Sequence, residues 1–376
     1  MIRKLSLLLV ATVLCFLGGE LFLRSVSSTK LGFDYSKEEG FFYKPIEFET
    51  DEQTNSLKFH DIEPLPKREG TTRVLLLGDS YVAGVSTPIE QTVGRRLEYH
   101  LNSISQQRFD VVAIGIEGSA QREQLVHLRR LGPSLRPDIV VTLFLTLNDV
   151  RGNSRELIEE QRAQQARSIR NSMALFRPGW PLLSKHKAPF FWIEQSVLNQ
   201  FVSFRLAQLR YRQKPQPIPL DYMVYRRNYG SRWEDAWLQT EALLLESRKA
   251  SREVGAHSYL LVSASTPQGV QGVGEGLRIL ERSYPAMKNY TWDLDGPDQR
   301  LYRFSEKNNI PSLFLEKRFR VLTREQGAEL HWKIDGHWNA TGNDHAGKLI
   351  GEFIISQLSK KTTNSLKPPK AERLGD

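Results

Sequence analysis

Four short clusters carry groups suited to acyl transfer: Gly78-Asp79-Ser80-Tyr81, Gly115-Ile116-Glu117-Gly118, Asn148-Asp149 and Asp335-Gly336-His337-Trp338-Asn339. A serine hydroxyl is a weak nucleophile until an imidazole takes its proton, which suggests Ser80 as nucleophile and His337 as base. The imidazole in turn needs a carboxylate on its other nitrogen, and Asp335 stands two residues upstream. In extended or turn-like backbone, residues i and i+2 share one side, so that spacing is workable. The developing oxyanion needs donors. The Ser80 N–H, the Gly118 N–H and the Asn148 side-chain amide are the candidates, and losing one such donor typically costs about 3–4 kcal/mol of barrier.

Each cluster also has a plainer reading. A serine after a strand commonly caps a helix, Asp79 reads as a structural residue holding its turn, Gly118 relieves a tight turn, Asn148 is a turn residue, and His337 is a buried, hydrogen-bonded histidine. His345 falls on a helix and is a weaker base candidate; His331 follows Glu329 by two residues but lacks the surrounding pattern. Trp292 and Trp338 read as core, with Trp338 near enough to the base to line a pocket. No histidine shows metal-ligand spacing, so neither a metal nor a cofactor is expected.

These clusters need a scaffold that brings them together. Arg73–Leu77, Asp110–Ile114, Asp138–Leu145, His257–Ser263 and Pro311–Leu315 are short apolar runs. Continuous Val, Ile and Leu suit strands buried on both faces, a parallel sheet under helices. Helices are expected over about Thr92–Ser103, Glu123–Leu131, Trp237–Val254 and Gly342–Leu358, the last capped by Asn339 or Thr341. Active groups in open α/β sheets gather beyond the carboxyl ends of the strands, where the first three clusters fall. Residues 151–232 break the alternation: helical in pattern, basic, and dotted with Phe, Trp and Pro, they read as an insertion whose charges form a solvated face. The organisation expected is 1–28 as membrane anchor or signal peptide, 29–70 as irregular lead-in, 71–358 as the catalytic domain and 359–376 as a disordered tail.

With 376 residues, 40% of them hydrophobic and 25% charged, the chain has ordinary globular usage, which excludes wholesale disorder. Mean hydropathy of −0.43 excludes a polytopic membrane protein. The net charge of +9 comes without a zinc finger, an RNA-binding signature or an Arg/Gly repeat, so nucleic acid is not an expected partner. The one cysteine, Cys15, rules out an internal disulfide and a Cys-based zinc site. Arg3 and Lys4 precede an apolar run, Leu5 to Leu23, long enough at roughly 1.5 Å per residue to span a bilayer core. The two cations favour a cytoplasmic N-terminus with the bulk exported. Ser25-Val26-Ser27 offers a rival signal-peptide cleavage site, but the run is long for that role and Arg24 lies just before it. Thr12-Val13-Leu14 lacks the small residue expected ahead of a lipidated cysteine.

Val74-Leu75-Leu76-Leu77-Gly78-Asp79-Ser80-Tyr81 resembles the first block of the SGNH/GDSL hydrolase family, and Ala113-Ile114-Gly115-Ile116-Glu117-Gly118-Ser119 its second. Thr146-Leu147-Asn148-Asp149 is similar to the third block, with threonine where the family usually has glycine. Asp335-Gly336-His337-Trp338-Asn339-Ala340-Thr341-Gly342 resembles the last block, with Asp two residues before His where three is usual. The shorter spacing looks like the alginate O-acetyltransferase branch, and Thr54-Asn55-Ser56-Leu57 is similar to membrane-anchored bacterial members. The likeness covers about 54–150 and 233–358. It implies a flavodoxin-like three-layer α/β sandwich with a parallel sheet of about five strands and a helical insertion. It implies a triad of Ser80, His337 and Asp335, and an oxyanion hole of Ser80, Gly118 and Asn148. The activity implied is a cofactor-free esterase acting on O-acyl esters through an acyl-enzyme on Ser80. The expected export, the basic insertion and the Asp335-to-His337 spacing favour acetyl esters of an extracytoplasmic polysaccharide or similar glycoconjugate as substrate. The location implied is the periplasmic side of a bacterial inner membrane, or outside it if the N-terminus is cleaved. The same triad serves an O-acyltransferase. A catalytically silent glycan-binding or assembly protein, and a lipid-directed esterase with the insertion as lid, are the other readings.

Overall fold

The computed structural model describes residues 2–25, 33–36, 40–43, 53–176, 198, 201–202, 217–333 and 335–365. The chain forms two compact units, one of residues 1–48 and 160–216, the other of 49–159 and 217–376.

In the first unit, helix α1 (Ile2–Ser25) precedes a hairpin of β1 (Phe33–Ser36) and β2 (Gly40–Tyr43), paired antiparallel with Phe33 opposite Tyr43. The Leu198 N–H donates to Glu20 Oε2 at 2.9 Å. Among the described residues no helix is long and apolar enough to cross a membrane. The side chains of Leu5 to Val10 lie outside the described residues, as do Val26 and Ser27 of the cleavage candidate.

The second unit holds the sheet. In chain order it contains β3 (Thr71–Gly78), α2 (Ser80–Ala83), α3 (Val93–Ile104), β4 (Arg108–Gly115), α4 (Gln121–Leu135), β5 (Ile139–Phe144) and α5 (Thr146–Gly152). Helix α6 (Arg155–Phe176) carries the chain into the other unit. After its return come α7 (Ser231–Glu253), β6 (Ser258–Ser263), α8 (Val273–Ser283), α9 (Gly296–Lys307), β7 (Ser312–Phe314), α10 (Leu315–Gln326) and α11 (Ala340–Ser365). All five strands are parallel, in the order β4-β3-β5-β6-β7. This is the flavodoxin-like order, whose topological switch point lies beside the first strand, here β3.

Two separate cores follow from the pleat, because successive side chains of a strand face opposite sides. Leu75 and Leu77 of β3 and Val140 and Phe144 of β5 pack under α4 and α7, with Leu128, Trp237 and Leu244. Val74, Leu76, Val141 and Leu143 face the other way, against Leu97 of α3, Phe319 of α10 and Ile350 of α11. Every residue of β3 and β5 is buried, which explains their unbroken apolar runs.

The expected strands and helices appear, with shifted ends: the helix read from Trp237 starts at Ser231. Helices α8, α9 and α10 were not expected. Expectations of the lead-in and insertion differ in detail from what is seen. Residues 53–63 lack regular structure yet are built by side chains: Asn55 Oδ1 accepts from the Leu57 and Phe59 N–H groups, and its amide donates to the Ile62 carbonyl. Arg151 is buried within α5 and ion-paired with Asp221 rather than solvated. Residues 217–232 rejoin the sheet-bearing unit, where Leu220, Val224 and Tyr225 enter the core. The rest of the proposed insertion, 177–197 and 203–216, lies mostly outside the described residues. Helix α11 continues to Ser365, past the expected start of a disordered tail, and 366–376 lie outside the described residues.

Candidate active site

Strand β3 ends at Gly78, and Asp79 turns the chain into α2. Asp79, fully buried, is the cap: its Oδ1 accepts the Tyr81 N–H at 3.0 Å. The capping role considered for Ser80 therefore falls to its neighbour, and the Ser80 hydroxyl is left for other partners. It meets His337: Ser80 Oγ and His337 Nε2 are 2.7 Å apart, and His337 Nδ1 lies 2.6 Å from Asp335 Oδ2. Residues 255 or more positions apart in sequence are thus joined in one hydrogen-bonded line, with side chains of His337 and Asp335 still 32% and 23% exposed. The site opens to solvent.

The two-residue Asp-to-His spacing works because of Gly336. Its φ of +84° belongs to the left-handed region, where a Cβ is penalised, and it folds Asp335 back over the following peptide. Asp335 Oδ2 consequently accepts both the His337 N–H, at 3.2 Å, and the Nδ1 proton. The turn is closed by Trp332 N–H to the His337 carbonyl at 2.8 Å and Gly336 N–H to the Trp332 carbonyl at 3.0 Å. Asn339 caps α11 by accepting the Gly342 N–H at 2.9 Å.

The electrostatics suit a base. Burial disfavours the His337 imidazolium, but the hydrogen bond and charge of Asp335, with Asp79 and Glu117 adding, outweigh it and raise its pKa above the usual 6.5. Burial also opposes ionisation of Asp335, yet the hydrogen bond and charge of His337 hold it below 3.8. An ionised Asp335 fixes the proton on Nδ1 and leaves the Nε2 lone pair facing Ser80 Oγ.

The oxyanion candidates come from the ends of β4 and β5. The Asn148 amide donates to Asp79 Oδ2 at 3.1 Å, which fixes it beside the Asp79–Ser80 turn with one N–H still to give. Gly118, with φ +67°, sits in the loop after β4, where the Ile116 N–H bonds the Gly78 carbonyl at 3.2 Å. Among the described residues, neither the Ser80 nor the Gly118 N–H is given to a backbone carbonyl in the turns. Asp149 is fully buried, bonded through Oδ2 to the Gln121 amide at 2.7 Å and the Leu145 N–H at 2.9 Å, and burial pushes its pKa well up. It supports the turn rather than reacting.

The other residues considered take structural places. His331 is bonded at 3.3 Å to Ser265, and burial depresses its pKa to about 4, so it stays neutral. Trp338 is buried, donating Nε1–H to Ser265 Oγ at 2.9 Å. Trp292 is core, bonded to the Met287 carbonyl. Sequence reasoning missed His60, whose Nδ1 lies 2.8 Å from the Ala83 carbonyl at the end of α2, and Asp61, which accepts the Ala113 N–H of β4 at 2.9 Å. His60 ties the lead-in to the end of α2, and Asp61 ties it to β4 and, through Arg95, to α3. Asn55 within the Thr54–Leu57 motif was the one signal toward them. Among the described residues no group of three or more His, Cys, Asp or Glu side chains forms a metal site.

No protein-family model matches the chain, and no curated protein sequence does. Remote likenesses to solved structures exist. TesA is 12% identical, covering 76% of this chain and 99% of its own, at a TM-score of 0.36. The acetyl xylan esterase AlAXEase is 11% identical over 76% and 99%, at 0.39. A lipase/acylhydrolase from Enterococcus faecalis is 16% identical over 80% and 100%, at 0.36. The fold is defined by strand order and register rather than by these likenesses.

Proposed function

We propose that the chain is a serine esterase of the SGNH/GDSL type acting on O-acyl esters. The observation that carries this is the continuous line from Ser80 Oγ through His337 to Asp335, at 2.7 and 2.6 Å. In the reading, Ser80 Oγ attacks the ester carbonyl carbon as its proton passes to His337 Nε2. The tetrahedral oxyanion is met by the Ser80 and Gly118 N–H groups and the free N–H of Asn148. His337 then gives its proton to the leaving alkoxide, and the acyl-enzyme forms on Ser80. Water, activated by the same imidazole, releases the acid.

Acetyl esters of an extracytoplasmic polysaccharide are the proposed substrate, supported by the solvent-open triad and by the apolar run Leu5–Leu23, read as an inner-membrane anchor with the catalytic unit exported. Transfer of the acyl group to a sugar hydroxyl is the second reading, favoured by the Asp335-Gly336-His337 spacing.

The test is turnover of short-chain aryl and acetylated-glycan esters by the detergent-solubilised full chain, beside Ser80→Ala and His337→Ala, with native mass spectrometry for an acyl adduct. Turnover and an adduct that both vanish in Ser80→Ala are expected; well-folded protein giving neither would sink the reading. Acylated glycan product on adding an acceptor would turn it to the transferase. Membranes washed with alkaline carbonate should retain the chain, whereas release would point to a cleaved leader.

A further inference from the structure

The residue after the nucleophile makes a contact that the reaction scheme does not use. Tyr81 is buried, and its hydroxyl donates to the Gly336 carbonyl at 2.9 Å. That carbonyl belongs to the peptide joining Gly336 to His337. The N–H of the same peptide donates to Asp335 Oδ2 at 3.2 Å. One peptide plane, directly attached to the base, is therefore held at both ends, by Asp335 on one side and by Tyr81 on the other. The phenol ring lies 5.0 Å from the His337 ring, tilted by 50°, and 4.9 Å from Trp338 in an edge-on contact at 86°.

We propose that Tyr81 is a positioning residue: its hydroxyl, by fixing the Gly336–His337 peptide, sets the reach of His337 Nε2 to Ser80 Oγ. The inference rests on the serine-esterase reading and deepens it. The physical case is that Tyr81 is covalently next to Ser80, so one phenol ties the nucleophile turn to the base turn. The other hydrogen bond from the base to the nucleophile side, Nε2–Oγ, must break and reform in each cycle, whereas the Tyr81 bond to the Gly336 carbonyl need not. Gly336, with its left-handed φ and no side chain, cannot hold that peptide by packing. Burial, followed by the charges of Asp79 and Asp335, keeps the phenol protonated, so it remains a donor.

The experiment compares full-length wild type, Tyr81→Phe and a variant with 4-aminophenylalanine at position 81, which restores a donor on the same ring. For Tyr81→Phe the expected result is a roughly tenfold fall in kcat, with KM within about twofold and thermal midpoint retained, the scale of one lost hydrogen bond. Labelling of Ser80 by a fluorophosphonate should slow in step, and the acid limb of kcat/KM should move to lower pH as Asp335 and His337 loosen. The amino variant should recover most of the rate. Wild-type kinetics and an unmoved limb in Tyr81→Phe, or an amino variant as slow as Tyr81→Phe, would overturn the proposal. If wild type neither turns over esters nor labels, the esterase reading fails instead. The downfield proton resonance of His337 Nδ1–H, which needs no turnover, then still decides: broadening in Tyr81→Phe supports the clamp and an unchanged line refutes it.

Discussion

At the scale of single residues, the proposed reaction hangs on the protonation of His337. A general base must be neutral, and its pKa lies above 6.5 because Asp335 outweighs burial. kcat/KM should therefore rise with pH along a limb centred above 6.5 and level off beyond it. Asp335→Asn should lower kcat by up to about 10⁴, since the amide can stabilise the wrong tautomer. It should also shift the limb downward, because burial then acts on His337 with less opposition. A limb that stays in place in Asp335→Asn would mean that another group titrates. The same residues show how far sequence reasoning reached. As a candidate site, Ser80, His337 and Asp335 were legible because acyl chemistry demands those types, and the structure brings the three together at 2.7 and 2.6 Å. Asn148 and Gly118 were candidates because they follow strands. The Asp79 cap was half legible. Tyr81 was not, because the carbonyl it bonds belongs to a residue 255 positions away.

At the scale of elements, α2, which opens at Ser80, is wedged between β4 and the lead-in. A Cβ at Gly115 would overlap the Ala83 backbone nitrogen, so the end of β4 and α2 touch through the missing side chain. At Gly118 the same atom would meet open space, though φ is +67°. Gly115→Ala should therefore cost about 1–3 kcal/mol by overpacking and displace Ser80 as well. Gly118→Ala should cost about 1–2 kcal/mol of backbone strain with a smaller shift of the turn. Urea midpoints and fluorophosphonate labelling of Ser80 measure both; equal stability losses with equal labelling would deny the wedge. These contacts explain why elements were easier to read than their fit. Periodicity marks a strand, but whether a glycine is needed for space or for φ depends on what lies opposite. Helices α8 to α10 escaped notice partly for a local reason: Gly272, with φ +88°, opens α8 without a side-chain cap.

At the scale of the whole molecule, a second set of buried acids makes stability depend on pH. Glu316 and Asp298 sit beyond the carboxyl ends of β6 and β7, bonded to Thr266, Arg320 and Ser263. Burial, then the charge of Asp298, raises Glu316 to about 8 against the opposing charge of Arg320, and burial raises Asp298 to about 6 against the Ser263 hydrogen bond, with Asp295 adding to both. Both values exceed those of the unfolded chain, so the folded state binds more protons. That contribution is full below about pH 4 and declines as pH rises through about 6 and about 8. Asp335, depressed, works the other way: its contribution is present above 3.8 and lost as pH falls through its folded value. Glu316→Gln should flatten the fall in urea midpoint between pH 6 and 8, whereas an unchanged slope would place the titrating group elsewhere. By itself, the sequence determined the strands and the parallel α/β class and singled out the candidate residues Ser80, His337 and Asp335, because apolar runs, turn glycines and chemically required residue types are local properties. Tertiary structure alone decided that Asp79 rather than Ser80 caps the turn, that 217–232 belongs with the sheet, and that the Tyr81 hydroxyl meets the Gly336 carbonyl. Those outcomes depend on which distant groups fill the same space, and no local pattern records that.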